Sequence, residues 1–249
     1  MKSIYNRILL KLSGEGLMGD KSFGMSPQVL QSLAEQIKSI HDEKIDICVV
    51  VGGGNIFRGA KEAAGGLNRT VADQVGMLAT LMNALCLQNA LENNGVETRV
   101  LSGLNVPQVC ENYVYRKAVR HLEKRRVIIF AGGTGNPYFT TDTGAVLRAS
   151  EMQCDAVLKA TQVDGVYTAD PKSHADAIRY EEISYDDVIT KQLRVMDLTA
   201  VALAKENNIP VLNCLRCRDF EWSDFDDTDH LNEKGATKLT KKIIPFIQK

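Results

Sequence analysis

The chain of 249 residues has almost no excess of charge: 30 Lys and Arg face 31 Asp and Glu, for a formal net charge of -1. A balance this close to zero argues against a dedicated polyanion binder, so nucleic acid is not an expected partner. Long apolar runs are missing as well. No stretch approaches the roughly 20 apolar residues of a membrane-spanning helix. The amino-terminal MKSIYNRILLKLSG has only a three-residue apolar run before Lys11, too short for a secretory signal. A soluble cytoplasmic protein without membrane contact is therefore expected. The histidines are few (His41, His121, His174 and His230) and show no metal-ligand spacing; solvated side chains account for the first three. Cysteine is sparse and scattered, with Cys48, Cys86 and Cys154 in apolar runs, as reduced core thiols of a cytoplasmic protein would be. One C-x-x-C, Cys214 to Cys217, lacks the second pair that zinc needs and the surroundings of a redox pair, and reads as coincidence. There is no internal repeat, and no Pro/Gly-rich linker before residue 213.

What is present is alternation. Apolar, β-branched runs at 7–12, 45–51, 97–101, 126–131, 155–159 and 209–212 predict strands. Several are apolar on both faces, as a sheet covered by helices requires. Between them, 27–41, 70–91, 112–124, 142–153 and 197–207 predict helices, the first opened by Ser26 and a first-turn Pro27. In the second, Val71, Val75, Leu78, Met82 and Leu85 recur at spacings of four and three, and Met77, Leu81 and Cys86 widen the stripe. Core burial is the default explanation, a subunit interface the minority one. The class this defines is α/β, a mostly parallel, doubly wound sheet with helices on both faces. Its ligands belong at the carboxyl ends of the strands.

Three glycine-bearing segments fall at such ends. AGGTGNPYFTTD, Ala131 to Asp142, packs three glycines and an Asn-Pro turn before Thr140, Thr141 and Asp142, residue types that start helices. A helix start offers free N–H groups and a positive dipole end to an anion such as phosphate. Lys11, Leu12, Ser13 and Gly14 end the first strand, where the lysine suits transferring phosphates and the N–H groups of Ser13 and Gly14 suit their oxygens. Gly14, Gly16 and Gly19 form a G-x-G-x-x-G string, but the next strand ends in Gly52 rather than the acid of a dinucleotide site. No Walker motif is present. Gly52, Gly53 and Gly54 precede Asn55 and Arg58, the latter either a phosphate ligand or a solvated arginine. Asp73 is either a helix-start acid, favoured by spacing, or a ribose-hydroxyl acceptor. Lys159 ends a later strand. Thr161, Tyr167 and Asp170 beyond it are turn signals that also suit a purine base or ribose. Together the three loops point to an enzyme that handles nucleotides.

KLSGE, VGGGNIFRG, DQVGMLAT, AGGTGNPYFTTD, LKATQVDGVYTADP and VMDLTA, in this order and spacing, resemble the bacterial uridylate (UMP) kinases of the amino acid kinase family. The likeness runs from about Ile4 to about Ala204. It implies transfer of phosphate from ATP to UMP, with magnesium, on a homohexamer open to control by GTP and UTP. It places ATP on Lys11, Leu12, Ser13, Gly14, Gly54, Arg58, Thr161, Tyr167 and Asp170. It places UMP on Gly53, Asp73, Thr134, Gly135, Asn136, Pro137, Tyr138, Phe139, Thr140 and Thr141. Such chemistry needs no general base, because the attacking oxygen of UMP belongs to a phosphate with a second pKa of about 6. Positioning and charge compensation suffice, from Lys11, Arg58 and Lys159, with Asp142 orienting the lysines. Magnesium rides on the ATP oxygens.

Residues 1–212 are expected to form this nucleotide-binding and catalytic domain, and 213–249 a divergent segment. Six acids lie from Asp219 to Asp229 with Trp222 among them, followed by a basic amphipathic stretch from Lys234 to Lys249. Asp227 and His230, in DTDHL, resemble the last block of SGNH/GDSL-type hydrolases, where such a pair completes a serine triad. No G-D-S nucleophile block precedes them, so a solvated acidic loop and terminal helix is the physical reading. An ester hydrolase, or a nucleotide-binding chimera without turnover, is the alternative.

Overall fold

A computed structural model describes residues 5–57, 65–160, 166–169, 173–174, 176–180, 182–193 and 195–213. Arg58, Thr161, Asp170, the C-x-x-C and the Asp227/His230 pair lie outside the described residues. Nine strands are described: β1 Arg7–Leu12, β2 Asp46–Val51, β3 Thr98–Ser102, β4 Glu111–Asn112, β5 Val127–Ala131, β6 Ala156–Ala160, β7 Val166–Tyr167, β8 Arg179–Tyr180 and β9 Val211–Asn213. The described helices are α1 Pro27–Asp42, α2 Arg69–Asn93, α3 Tyr115–Glu123, α4 Thr141–Glu151, α5 Tyr185–Thr190 and α6 Leu198–Glu206. Seven strands form one sheet in the order β4-β3-β5-β2-β1-β6-β9, and every pairing in it is parallel. β7 and β8 make a separate antiparallel ribbon.

Alternation along the strands sorts side chains onto two buried faces. Ile8, Leu10, Val49 and Ile129 meet α1 and α2 through Ile37, Leu87 and Leu91. Leu9, Val50, Ile128 and Val157 meet α3 and α4 through Leu122, Ala145 and Ala149. Fully burying such side chains contributes about 1.5–3 kcal/mol each, which is why a sheet covered on both faces reads as unbroken apolar runs. Ser26 caps α1 by accepting from the Val29 N–H at 3.4 Å, with Pro27 in the first turn.

Four expectations need correction. The helix predicted from 112 begins at Tyr115, because Glu111–Asn112 pairs with Leu101–Ser102 as an edge strand and Val114 is extended. The last strand starts at Val211 rather than 209, since the Ile209 N–H closes the end of α6 on the Ala204 carbonyl. His121 is not solvated: it is buried, with Arg126 Nη1 at 3.2 Å from Nδ1 and Glu111 Oε1 at 3.1 Å from Nε2. The stripe on α2 is core only in part: Met77 and Leu81 are buried and Leu85 packs against the core. Val71, Leu78 and Met82 are 43%, 46% and 51% exposed, and the buried face also takes in Ala72, Ala79, Leu87 and Leu91. By length and hydropathy α2 would pass for a membrane span, but its buried face lies in the core of the sheet.

A buried amide pair ties α2 to the end of β2. Asn83 Nδ2 donates to Asn55 Oδ1 at 2.7 Å and to the Gly52 carbonyl at 2.6 Å. Asn55 Nδ2 in turn donates to Asn83 Oδ1 at 3.0 Å and the Gly24 carbonyl at 2.8 Å. Asn83→Ala leaves those buried partners unsatisfied, so a loss of about 2–4 kcal/mol is expected from urea unfolding. A loss below about 0.5 kcal/mol would show that the pair does not hold the turn.

Candidate active site

Lys11 and Lys159 stand opposite each other in the register of β1 and β6. In adjacent parallel strands, register partners project from the same face. Here that is the face covered by α4, whose first turn carries Asp142. Thr140 caps this helix, its hydroxyl accepting from the Asp142 N–H at 3.0 Å and the Thr143 N–H at 3.4 Å. The carboxylate of Asp142 then lies between the two ammonium groups. Lys11 Nζ is 2.8 Å from Oδ1, and Lys159 Nζ donates to Oδ2 at 2.9 Å and to the Val195 carbonyl at 2.5 Å.

All three side chains are largely buried, at 12–14% exposure. Burial pushes the Asp142 carboxyl up, but the charges of Lys11 and Lys159 outweigh it and hold the carboxyl below its usual range. Burial lowers the Lys159 ammonium, and the Lys11 charge adds to that, beyond what Asp142 restores. The cluster therefore carries two positive charges against one negative. Asp142 Oδ1 has Lys11 as an ionic contact but no aligned hydrogen bond among the described residues. An ammonium has three donors, so Lys11 keeps capacity for an anion.

The loops around this centre touch closely. A Cβ on Gly14 would lie 2.7 Å from both Asn55 Oδ1 and the Gly52 carbonyl, so only glycine lets the ends of β1 and β2 meet there. Gly53 presses on α2, where a Cβ would lie 2.9 Å from the Gly76 carbonyl. The Gly132 N–H donates to Thr80 Oγ1 at 2.8 Å, which anchors the loop after β5 to the same helix.

Between the β2 end, α2 and the β5–α4 loop lies a cleft of about 220 Å³. Of the residues expected to hold the acceptor, Gly53, Asp73, Thr134, Asn136, Phe139, Thr140 and Thr141 line it, and so does Gly54 from the donor set. Gly135, Pro137 and Tyr138 belong to the same loop but not to the lining. Asp73 lies in the second turn of α2 rather than at its start, where Asn68 is the cap. Its Oδ2 accepts from Arg69 Nε and from the Tyr138 N–H, both at 2.8 Å, and so fastens the acceptor loop to α2. The Thr140 hydroxyl is fully engaged, since it also donates to Asp197 Oδ2. Thr140 can therefore offer a ligand only its backbone, whereas no partner is seen for the Thr141 hydroxyl among the described residues. Lys11, Leu12, Ser13 and Gly14 run along the end of β1 into a short 3₁₀ turn, Glu15–Leu17. Tyr167 is half-buried in the β7–β8 ribbon.

Some site residues escaped sequence reasoning. Arg69 lines the cleft, and its i,i+4 spacing to Asp73 was the available signal. Thr80 and Met77 read as part of an apolar helix. Asn83, a polar residue inside that helix, was a legible clue to a buried partner.

Parallel strands ending in glycine turns, two lysines sharing one carboxylate, and an adjoining cleft define an enzyme of phosphorylated small molecules. The chain belongs to the amino acid kinase family, whose model matches residues 6–212. It is 58% identical over 209 residues to a uridylate kinase of Ruegeria pomeroyi, covering 84% of this chain and 83% of that one. To a uridylate kinase of Paramagnetospirillum magneticum it is 56% identical over 208 residues, covering 84% and 87%. Among solved structures, UMP kinase from Bacillus anthracis superposes with a TM-score of 0.80 at 40% identity, covering 84% of this chain and 87% of that one. UMP kinase from Ureaplasma parvum gives 0.79 at 41%, covering 83% and 89%.

Asp142→Asn would leave two buried ammonium groups without a counter-charge, with an expected loss of about 3 kcal/mol at pH 7 in urea unfolding. A depressed carboxyl contributes its stability above its unfolded pKa and loses it as pH falls through the folded value. The gap between parent and variant should thus close in acid, below about pH 4. A gap that is constant with pH would contradict the charge-pair assignment.

Proposed function

We propose that the chain is a UMP kinase that moves the γ-phosphoryl group of ATP to the phosphate of UMP, giving ADP and UDP. The observation that carries this reading is the Lys11–Asp142–Lys159 centre. Asp142 follows directly on Thr140 and Thr141, which line the cleft, so the centre abuts the place an acceptor would fill. In this reading Gly53, Asp73 and Thr134 to Thr141 hold UMP, with Thr140 acting through its backbone. Lys11 to Gly14 and Gly54 hold the ATP phosphates, with Tyr167, Arg58, Thr161 and Asp170 completing the donor side.

The attacking group is a phosphate oxygen that is already ionised, so no base takes a proton from it. The residues are left with two tasks: hold the reacting oxygens in line, and neutralise charge on the transferring group. Lys11 and Lys159 do the second, their ammonium groups spaced by the carboxylate of Asp142. Loss of one preorganised donor of this kind costs about 10²–10³ in turnover. Magnesium belongs on the ATP phosphates, where it supplies further charge neutralisation. Asp142 is held by two ammonium groups, so the nucleotide would supply most of the oxygens that hold the ion.

The exposed apolar stripe of α2 supports assembly, and we assign it to contact between copies in a homohexamer. Large apolar side chains in line along one helix face mark an interface rather than a solvated surface. Leu78→Asp should shift the mass measured by light scattering to a smaller species. An unchanged mass, or a monomeric parent, would contradict the assignment.

ADP release in the presence of UMP, CMP or AMP tests the function directly: turnover selective for UMP is expected, and turnover with none or with AMP overturns it. Lys11→Ala should lower kcat at least a hundredfold while UMP affinity, read by calorimetry, changes less than about threefold. Equal losses in both would mean that Lys11 binds substrate without acting in the transition state.

A further inference from the structure

We propose that Asp197 is the positioning residue of the phosphoryl-transfer centre: its carboxylate accepts hydrogen bonds from the hydroxyls of Thr140 and Thr143 and so fixes the helix start that carries Asp142. This rests on the kinase reading above and adds a residue that the nucleotide loops do not contain. Asp197 is the N-cap of α6, with Oδ1 accepting from the Ala200 N–H at 2.9 Å. Capping alone needs one acceptor, and serine serves as well as aspartate. Asp197 does more. Thr143, buried inside α4, donates its hydroxyl to Oδ1 at 2.9 Å and to Oδ2 at 3.0 Å. Thr140, the cap of α4, donates its hydroxyl to Oδ2. The caps of two helices are thus bonded to each other through one carboxylate, and hydrogen bonds to a charged acceptor are about twice as strong as neutral ones.

The consequence reaches the reacting centre along a continuous path. Asp197 orients the Thr140 hydroxyl, which accepts from the Asp142 N–H, and the Asp142 carboxylate holds Lys11 and Lys159. Two residues before Asp197, the Val195 carbonyl takes Lys159 directly. The segment from Val195 to Asp197 therefore grips the centre twice, once at the lysine and once at the helix that carries its counter-charge. The apolar contact between α4 and α6 runs through Val146, Ala200 and Ala204.

The test compares full-length parent, Asp197→Ser, Thr143→Val and the double variant by steady-state kinetics and melting. Serine keeps the cap of α6 but is too short for the hydroxyls, and valine removes the Thr143 bonds while leaving the Thr140 bond, Asp197 and its cap in place. Asp197→Ser should lower kcat about tenfold and Thr143→Val, which keeps the Thr140 bond, about threefold, each with KM for ATP and for UMP within twofold. The double variant should be no slower than Asp197→Ser, as residues on one path are not additive. Should Asp197→Ser fail to fold, Thr143→Val decides alone. A kcat within twofold of the parent, a loss confined to KM, or additive losses would overturn the proposal. A parent without UMP turnover would sink the kinase reading and this inference together, whereas an active parent beside fully active variants would sink this inference alone.

Discussion

Two lysines on neighbouring strands, buried and in register, repel each other, and one carboxylate from a helix start reconciles them. Like charges about 4 Å apart in partly buried surroundings cost on the order of 4 kcal/mol. The sheet can hold Lys11 and Lys159 side by side only because α4 begins above them with Asp142 pointing down. Those three residues alone carry one positive charge in excess, and Asp197 adds to the negative field on Lys159.

The remaining parts of the site make that centre rigid and give it neighbours. Gly14 lets two strand ends touch, and the Asn55–Asn83 pair locks the second of them to α2. Asp73 fastens the acceptor loop by accepting the Tyr138 N–H, and Thr80 holds its first glycine. Asn55, Asn83 and Thr80 spend their side-chain hydrogen bonds within the protein, and Asp73 spends its Oδ2 there. Sites that place reacting groups to within a fraction of an ångström depend on such support. The buried polar residues of α2, costly in an apolar helix, are explained by this task.

The strands were legible because a sheet covered on both faces writes itself as apolar runs, and the glycine ends were legible because three consecutive glycines suit few purposes besides close approach. Asp142 as the partner of the lysines came with the family resemblance, since its place at a helix start suited a simple first-turn acid equally well. The register that sets Lys11 against Lys159 was not legible, since it depends on a crossover between residues far apart in sequence. The stripe of Val71, Leu78 and Met82 misled for a physical reason: periodicity shows that a face is apolar, not what covers it. His121 failed in the opposite way, a polar residue buried between Arg126 and Glu111 of an edge strand too short to read. Asp197 entered the sequence reading as the first residue of a helix, and only the fold brings Thr140 and Thr143 to it.

A crystal structure of the full chain with an analogue that joins uridine and adenosine through a chain of phosphates would test the two-lysine centre most directly. The uridine end should fill the cleft beside Gly53 and Asp73, with the bridging phosphate within hydrogen-bond reach of both Lys11 Nζ and Lys159 Nζ. Phosphates bound on another surface, or bound while both lysines stay turned to Asp142 alone, would contradict it.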